Sequence, residues 1–193
     1  MSTATDTITV DVPLSTAYNQ WTQMESYPQF MAGVQSVEQL DDTHLRWHMN
    51  VAGVERDFDV VITDQVPDKL IAWESHGELE QRGRVDFTPM GSSTTQVTLS
   101  LDWEPSGAVE KIGSAFMVDE ALVARNLDMF KDFIENKGVE EGAWRGEVMG
   151  GTAVDDDDSF RTDDRAELGR SADGAAFPEE GYLPGSATRR NPA

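Results

Sequence analysis

The feature that most constrains the fold is a stretch of about seventy residues, 34–105, in which apolar and polar side chains alternate. Its clearest segment is TQVTLSLDWEP (95–105), where every second residue from Val97 to Trp103 is apolar. Turn signals such as Asp41–Asp42 and Gly91–Ser93 separate the alternating segments. Alternation of this kind is typical of antiparallel strands with one buried and one solvated face. The stretch therefore predicts an antiparallel meander whose apolar face is rich in aromatic residues.

The segment before this meander combines a strand with two short helices. TITVDVP (7–13) alternates in the same way and ends at a proline, as a half-buried strand does. Ser15 is then a candidate cap for a helix that carries Tyr18 and Trp21 on one face. Since Pro28 can begin a helix but not continue one, we expect a break at Ser26–Tyr27 and a second short helix after it.

A long amphipathic helix is predicted after the meander. Apolar residues from Val109 to Ile134 recur at spacings of three, four and seven, which favours one helix from Gly107 to Lys137. Gly138 is expected to end it. A straight helix touches a twisted sheet over only part of its length, so space is expected between the two layers.

Composition excludes several classes of protein. With 36 acidic and 15 basic residues, the net charge of −21 repels nucleic acid and anionic membrane surfaces. The absence of cysteine excludes disulfides, thiol catalysis and zinc–thiolate sites. We find no signal peptide and no stretch apolar enough for stable membrane insertion, so a cytoplasmic protein is expected.

The sequence predicts one folded domain and an acidic tail. Residues 1–138 carry the strand and helix patterns, and residues 139–193 are rich in glycine and include the run Asp155–Asp158. The second segment has too few apolar residues to offset its ordering entropy, so we predict that it is mostly disordered. Its isolated aromatic residues leave open a docking role on the domain or on a protein partner.

Three segments resemble the START-like (SRPBCC) superfamily, the polyketide cyclase/dehydrase and lipid-transport group. VDVPLSTAYNQWTQMESYPQFMAGVQSVEQLDDTHLRW is similar to the family's opening, QVPDKLIAWES to its turn into a central strand, and VEKIGSAFMVDEALVARNLDMFKDFIENKG to its closing helix. The resemblance implies an α+β helix-grip fold, with a curved antiparallel sheet of about six to seven strands wrapped around the long helix. It also implies a deep apolar cavity between helix and sheet. Because members range from ligand carriers to cyclases, the fold does not specify the activity.

The resemblance implies a site for a hydrophobic small molecule such as a lipid, a quinone or a polyketide-like aromatic, with no cofactor and no metal. Its expected lining is Trp21, Tyr27, Phe30, Met31, Trp47, Met49, Phe58, Trp73, Phe87, Trp103, Phe116, Glu120 and Val123. Tyr27, Phe30 and Met31 are expected either to form a lid at the cavity mouth or to plug the end of the core.

Residues that could do chemistry are few. The three histidines, His44, His48 and His76, are not spaced as metal ligands, and we expect them at the surface. Glu120 falls within the apolar arc of the predicted long helix, so we hypothesise that its carboxylate faces the cavity and hydrogen-bonds a ligand or acts as an acid–base group. The alternative is that the helix is rotated slightly, or that Glu120 reaches the cavity mouth and meets water.

Three functions remain open at this stage, and the sequence favours the first. A carrier would hold its ligand by burial and shape. A cyclase/dehydrase-type enzyme would work mainly by positioning its substrate, with Glu120, together with Tyr18 or His76, moving protons. An interaction module would use the acidic tail.

Overall fold

The structure is a computed structural model that describes residues 2–51, 53–76, 80–104 and 120–154. Within its strands the side chains of Ser2, Val51, Val54, Glu80, Trp103 and Glu104 are not described. The predicted helix from Gly107 to Lys137 is therefore described only from Glu120 onward, and Phe116 lies outside the described residues, as does the predicted tail from residue 155.

The described residues form an antiparallel sheet and two α-helices. The elements in chain order are β1 (Ser2–Val10), α1 (Leu14–Thr22), a 3₁₀ helix (Met24–Gln29), β2 (Val34–Gln39), β3 (His44–Val51), β4 (Val54–Val66), β5 (Leu70–His76), β6 (Glu80–Pro89), β7 (Thr95–Glu104), α2 (Glu120–Lys137), β8 (Glu147–Met149) and β9 (Thr152–Val154). The sheet runs β1-β7-β6-β5-β4-β3-β2, and all its pairs are antiparallel. The predicted meander is confirmed.

The alternation of side chains separates an apolar inner face from a charged outer face. On β3, Trp47 is buried on the inner face, whereas Arg46 bonds Asp59 on the outer face, Nε and Nη2 each 3.0 Å from Oδ1. Next along the same face, Nδ1 of His48 lies 2.6 Å from Oδ1 of Asp57. Directly opposed residues of antiparallel strands bring these charges together.

Helix α2 packs its apolar stripe on the inner face. Val123, Leu127, Phe130 and Ile134 are buried at helical spacing. The helix is also tied to the end of β1, because Lys131 Nζ donates to the Thr9 carbonyl at 2.6 Å. The Gly138 N–H donates to the Ile134 carbonyl at 2.8 Å with a φ of 67°, so this glycine ends the helix as predicted. None of the described helices has the length and apolar character needed to span a bilayer.

Helix α1 departs from the prediction at both ends. It begins after Pro13, and Ser15 does not cap it. It ends at Thr22, with Gln23 as its C-cap, rather than at Ser26–Tyr27, because the Gln23 N–H donates to the Gln20 carbonyl, three residues away, at 3.0 Å. That tight pattern leads into the 3₁₀ helix, which contains Pro28. The predicted break is therefore three residues too late.

The domain boundary predicted at residue 138 is wrong for residues 139–154. The Glu141 N–H donates to Gln20 Oε1 at 3.0 Å, and the Trp144 N–H donates to Thr22 Oγ1 at 2.9 Å. The chain then enters β8, which pairs with β4 through Val148 opposite Gln65. Strand β4 runs past the start of β3 and leaves backbone groups unpaired there, and β8 satisfies them.

Arg145 fastens residues 139–154, here called the returning segment, to the rest of the domain. It belongs to a group of five residues, here called the Arg145 cluster: Tyr18, Asn19, Gln65, Asp68 and Arg145. The guanidinium donates to Asn19 Oδ1 at 2.7 Å and to Asp68 Oδ2, and it lies 5.6 Å from the centroid of the Tyr18 ring. Gln65 Nε2 donates to the Tyr18 hydroxyl at 3.2 Å. Burial raises the pKa of Tyr18 to about 12, so this phenol is neutral at ordinary pH.

We expect Tyr18 to make the domain sensitive to alkali. Because the pKa is higher in the folded than in the unfolded state, the stabilising effect is complete below pH 10 and is lost as the pH rises toward 12, by up to about 2–3 kcal/mol. Urea unfolding of the wild type between pH 9 and 11.5 measures this loss. In Tyr18→Phe the free energy of unfolding should fall less steeply as the pH rises, and equal slopes in both proteins would contradict the raised pKa of Tyr18. At pH 7 the variant should lose about 1 kcal/mol, because Gln65 loses its acceptor.

Gly83 should tolerate no side chain, because the Trp73 ring crosses the strand there. A Cβ on Gly83 would lie 2.2 Å from Cε2 of Trp73. We expect Gly83→Ala to lower the free energy of unfolding by about 1–3 kcal/mol, the usual cost of overpacking. Gly91→Ala is the matched control, since an added Cβ meets no atom within 4 Å there. Chemical denaturation of both variants tests this. A Gly83→Ala protein as stable as the control would show that the Trp73 ring does not pack against Gly83.

Candidate functional site

The inner face of the sheet is sealed at one end and comes closest to solvent at the other. Along β5 the exposed fraction rises from 0% at Ile71 to 4% at Trp73 and 7% at Ser75. Along β4 it rises from 2% at Ile62 to 7% at Phe58, which lies toward the hairpin with β3. The interior therefore approaches solvent at the end of the sheet where β4 begins and β5 ends.

The residues at this end form a rim, here called the mouth: Met31, Val34, Trp47, Met49, Phe58 and Trp73. The turn before β2 lies beside the end of β3, because the Asn50 N–H donates to the Gly33 carbonyl at 2.7 Å. The same turn is tied to α2 through the Ala32 N–H, which donates to Asn126 Oδ1 at 2.9 Å. Helix, turn and sheet thus meet around the mouth.

Aromatic rings line the interior from its sealed end to the mouth. Seven residues, here called the aromatic cluster, form this line: Trp21, Tyr27, Phe30, Trp47, Trp73, Phe87 and Phe130. Trp21 lies 5.2 Å from Phe130 and 5.6 Å from Tyr27 between ring centroids. Tyr27 meets Trp47 edge-on at 5.5 Å, and Trp47 lies 6.0 Å from Trp73. These distances are those of ordinary aromatic pairs.

Tyr27 joins the two ends of the cluster and has no acid–base role at ordinary pH. Its hydroxyl donates to the Trp21 carbonyl at 2.8 Å. The side chain is fully buried, and burial raises its pKa well above the usual range of a phenol. Tyr27 therefore stays neutral and serves as a packed wall.

Two polar atoms inside this apolar region lack partners. The indole nitrogens of Trp21 and Trp47 are buried, and neither has a hydrogen-bond acceptor among the described residues. The hydroxyl of Ser75, by contrast, accepts the Gln81 N–H at 3.0 Å. The interior therefore presents two free donors on otherwise apolar surfaces.

The histidines stay outside this region. Nδ1 of His44 lies 2.9 Å from Oδ1 of Asp41 in a turn, and Nε2 of His76 lies 3.3 Å from Oε1 of Glu74. His48 belongs to the outer-face pair described above. The expectation that all three are surface residues is confirmed. Within the described ranges, no group of three or more acidic or histidine side chains is placed to hold a metal ion.

Glu120 is exposed, so the predicted inward orientation of its carboxylate is wrong. Within the described residues 120–137, Val123 is the first fully buried member of the apolar stripe of α2. Helical side chains tilt toward the helix N-terminus, so a residue one turn before Val123 projects past this contact. The helical wheel places Glu120 on the correct side of the helix but does not indicate where the packing begins.

The structure brings most of the predicted lining residues together. Trp21, Tyr27, Phe30, Met31, Trp47, Phe58, Trp73, Phe87 and Val123 are all buried in one core, and Met49 is half-buried beside it. Tyr27 and Phe30 belong to the packed core, which is the alternative to the lid that the sequence left open. The side chain of Trp103 and all of Phe116 lie outside the described residues. Phe130 was not predicted as a site residue, although it shares the apolar stripe of α2 with Val123.

Comparison with known proteins agrees with this architecture. Residues 10–131 match the model of the family described as polyketide cyclase / dehydrase and lipid transport. An uncharacterized 17.2 kDa protein of Streptomyces lincolnensis is 44% identical over 150 residues, which cover 77% of this chain and all of the relative.

Solved structures share the fold. A protein of Deinococcus radiodurans is 25% identical with a TM-score of 0.58, covering 71% of this chain and 99% of that one. A START superfamily protein of Mycobacterium smegmatis is 17% identical with a TM-score of 0.54, covering 70% and 95%. The Zhui aromatase/cyclase of Streptomyces sp. R1128 is 18% identical with a TM-score of 0.55, covering 70% and 92%. These similarities confirm the predicted helix-grip fold, and the chain belongs to the polyketide cyclase/dehydrase and lipid-transport family.

Proposed function

We propose that this domain binds a neutral hydrophobic small molecule, such as a quinone, a polyketide-like aromatic or a lipid, between α2 and the inner face of the sheet. The observation that carries the proposal is the aromatic cluster, which lines the interior and ends at a mouth where exposure begins. Flat ring surfaces favour ligands that are themselves flat and apolar, because stacking adds to the free energy gained by burial.

A binding role fits the described residues better than a catalytic one. Glu120 is exposed, the histidines lie on the outer face or in turns, and Tyr27 is held neutral. The enzyme interpretation thereby loses the acid–base group assigned to it. Membership of the family supports the hydrophobic ligand class, since the family's description covers lipid transport as well as cyclisation.

The mouth can be tested with a pair of equivalent substitutions. Met49 is half-buried at the mouth, whereas Met90 is 59% exposed beside the β6–β7 turn, at the opposite end of β6. We expect Met49→Lys to weaken binding of the neutral fluorescent probe N-phenyl-1-naphthylamine about tenfold, because an ammonium group at the mouth costs free energy to desolvate. Met90→Lys, which makes the same change of charge, should bind as the wild type does. Probe titration and thermal melts of all three proteins provide the measurement.

Two outcomes would contradict the proposal. A wild-type protein that does not enhance the emission of the probe has no accessible apolar site. Equal probe affinities in the two folded variants would mean that the probe binds elsewhere on the surface.

Native mass spectrometry of protein purified from its own host would identify the class of ligand. We expect an apolar compound to co-purify with the full chain. A chain that ends at residue 154 should retain the same compound, because the candidate site is built from residues between 21 and 130. If truncation alone removes the compound, the site depends on residues 155–193, and the tail-based interpretation would replace this one.

A further inference from the structure

The indole N–H groups of Trp21 and Trp47 are buried donors without acceptors. Trp21 is 0% exposed and Trp47 is 6% exposed, and the part of the chain that the structure describes offers neither nitrogen a hydrogen-bond partner. Buried donors in folded proteins are nearly always paired, and an unpaired one carries a desolvation cost. Two such groups within one ring cluster call for a common explanation.

The surroundings of these donors contain rings rather than acceptors. Trp21 packs against Tyr27, Phe30, Phe87 and Phe130, and Trp47 packs against Tyr27 and Trp73. Tyr27, which lies between the two indoles, already donates its hydroxyl to the Trp21 carbonyl. Among the described residues neither indole N–H has a partner, and a molecule that enters the cluster can supply one.

The chemistry of that acceptor is restricted by charge. The cluster has no charged member, so an entering carboxylate would be desolvated without a cation to pair with it. The net charge of −21 opposes anions further. A neutral oxygen such as a ketone or quinone carbonyl has no such cost and accepts an indole N–H well.

The two donors differ in depth. Trp47 belongs to the mouth and also contacts the Trp73 ring, with an angle of 35° between the ring planes. Trp21 lies farther from the mouth, on the opposite side of Tyr27. A ligand entering at the mouth meets the Trp47 donor first, and a second carbonyl is needed for it to meet the Trp21 donor as well.

We propose that the indole N–H of Trp47, and deeper in the cluster that of Trp21, hydrogen-bond the carbonyl oxygens of a neutral ring ketone or quinone. This inference rests on the proposed function and makes the ligand class more specific. The two indoles select for oxygen acceptors on a flat apolar molecule. Hydrocarbons of similar size gain nothing from them, and a fatty acid has to bury its carboxylate without a cation to pair with it.

The test compares menadione with 2-methylnaphthalene, which has the same fused rings and methyl group but no carbonyl. In the ¹⁵N-labelled full chain, the five tryptophans give five indole N–H signals, assigned with Trp47→Phe and Trp21→Phe. We expect menadione to move the Trp47 indole proton downfield, as hydrogen bonding does, and 2-methylnaphthalene to leave it without a downfield shift. By calorimetry, Trp47→Phe should weaken menadione binding about fivefold more than it weakens binding of the hydrocarbon, because both ligands lose ring contact but only menadione loses a hydrogen bond.

Trp144→Phe is the matched control, because Trp144 lies in the returning segment outside the aromatic cluster, and this change should affect neither ligand. If both ligands bind with equal affinity and no indole proton moves downfield with menadione, the inference is wrong while the proposed function stands. If neither ligand binds, the proposed function fails with it. The wild-type titration decides the matter even if a tryptophan variant does not fold.

Discussion

The contact of Phe130 with Trp21 and Phe30 is the interaction on which the rest of the structure depends. It joins α2 to α1 and to the turn before β2, with ring centroids 5.2 Å apart in both pairs. All three side chains are fully buried, so this end of the interior is closed. With one end closed, the two layers can stay less tightly packed at the other end without losing the main share of the buried apolar surface.

The sequence predicted the faces of the sheet better than the ends of its elements. Alternation placed Trp47 and Trp73 inward, because the pleat leaves each side chain only two directions. The bulge between Ile62 and Asp64 has no comparable signal, yet it shifts the register of β4 and leaves Gln65 buried beneath Tyr18. Strand β8 is three residues long and is held by an edge of β4, so only the tertiary structure accounts for it.

The sequence predicted most of the residues that form the site, but not where the buried part of the site ends. Aromatic residues on the inner face follow from periodicity, and Trp21 and Val123 follow from helix faces. The exposure of Glu120 depends on how α2 packs on the core, and a helical wheel contains no such information. Whether the indole nitrogens are paired depends on their three-dimensional surroundings alone, because the same tryptophans would be hydrogen-bonded in any core that offered an acceptor.

Charged side chains lie on the outer face of the sheet, and the neutral aromatic cluster lies on the inner face. Outer-face pairs such as Arg46 with Asp59 keep the surface charged, while the aromatic cluster is neutral and contains two indole N–H donors without a partner among the described residues. A neutral ligand without oxygen acceptors is not repelled by the charged surface, but it leaves the indole N–H groups unpaired. An anionic ligand is repelled by the net negative charge outside, and desolvating its charge inside costs free energy. Selectivity for neutral carbonyl compounds therefore needs no charged residue in the site, because two donors fixed in apolar walls favour an acceptor most strongly where water is excluded.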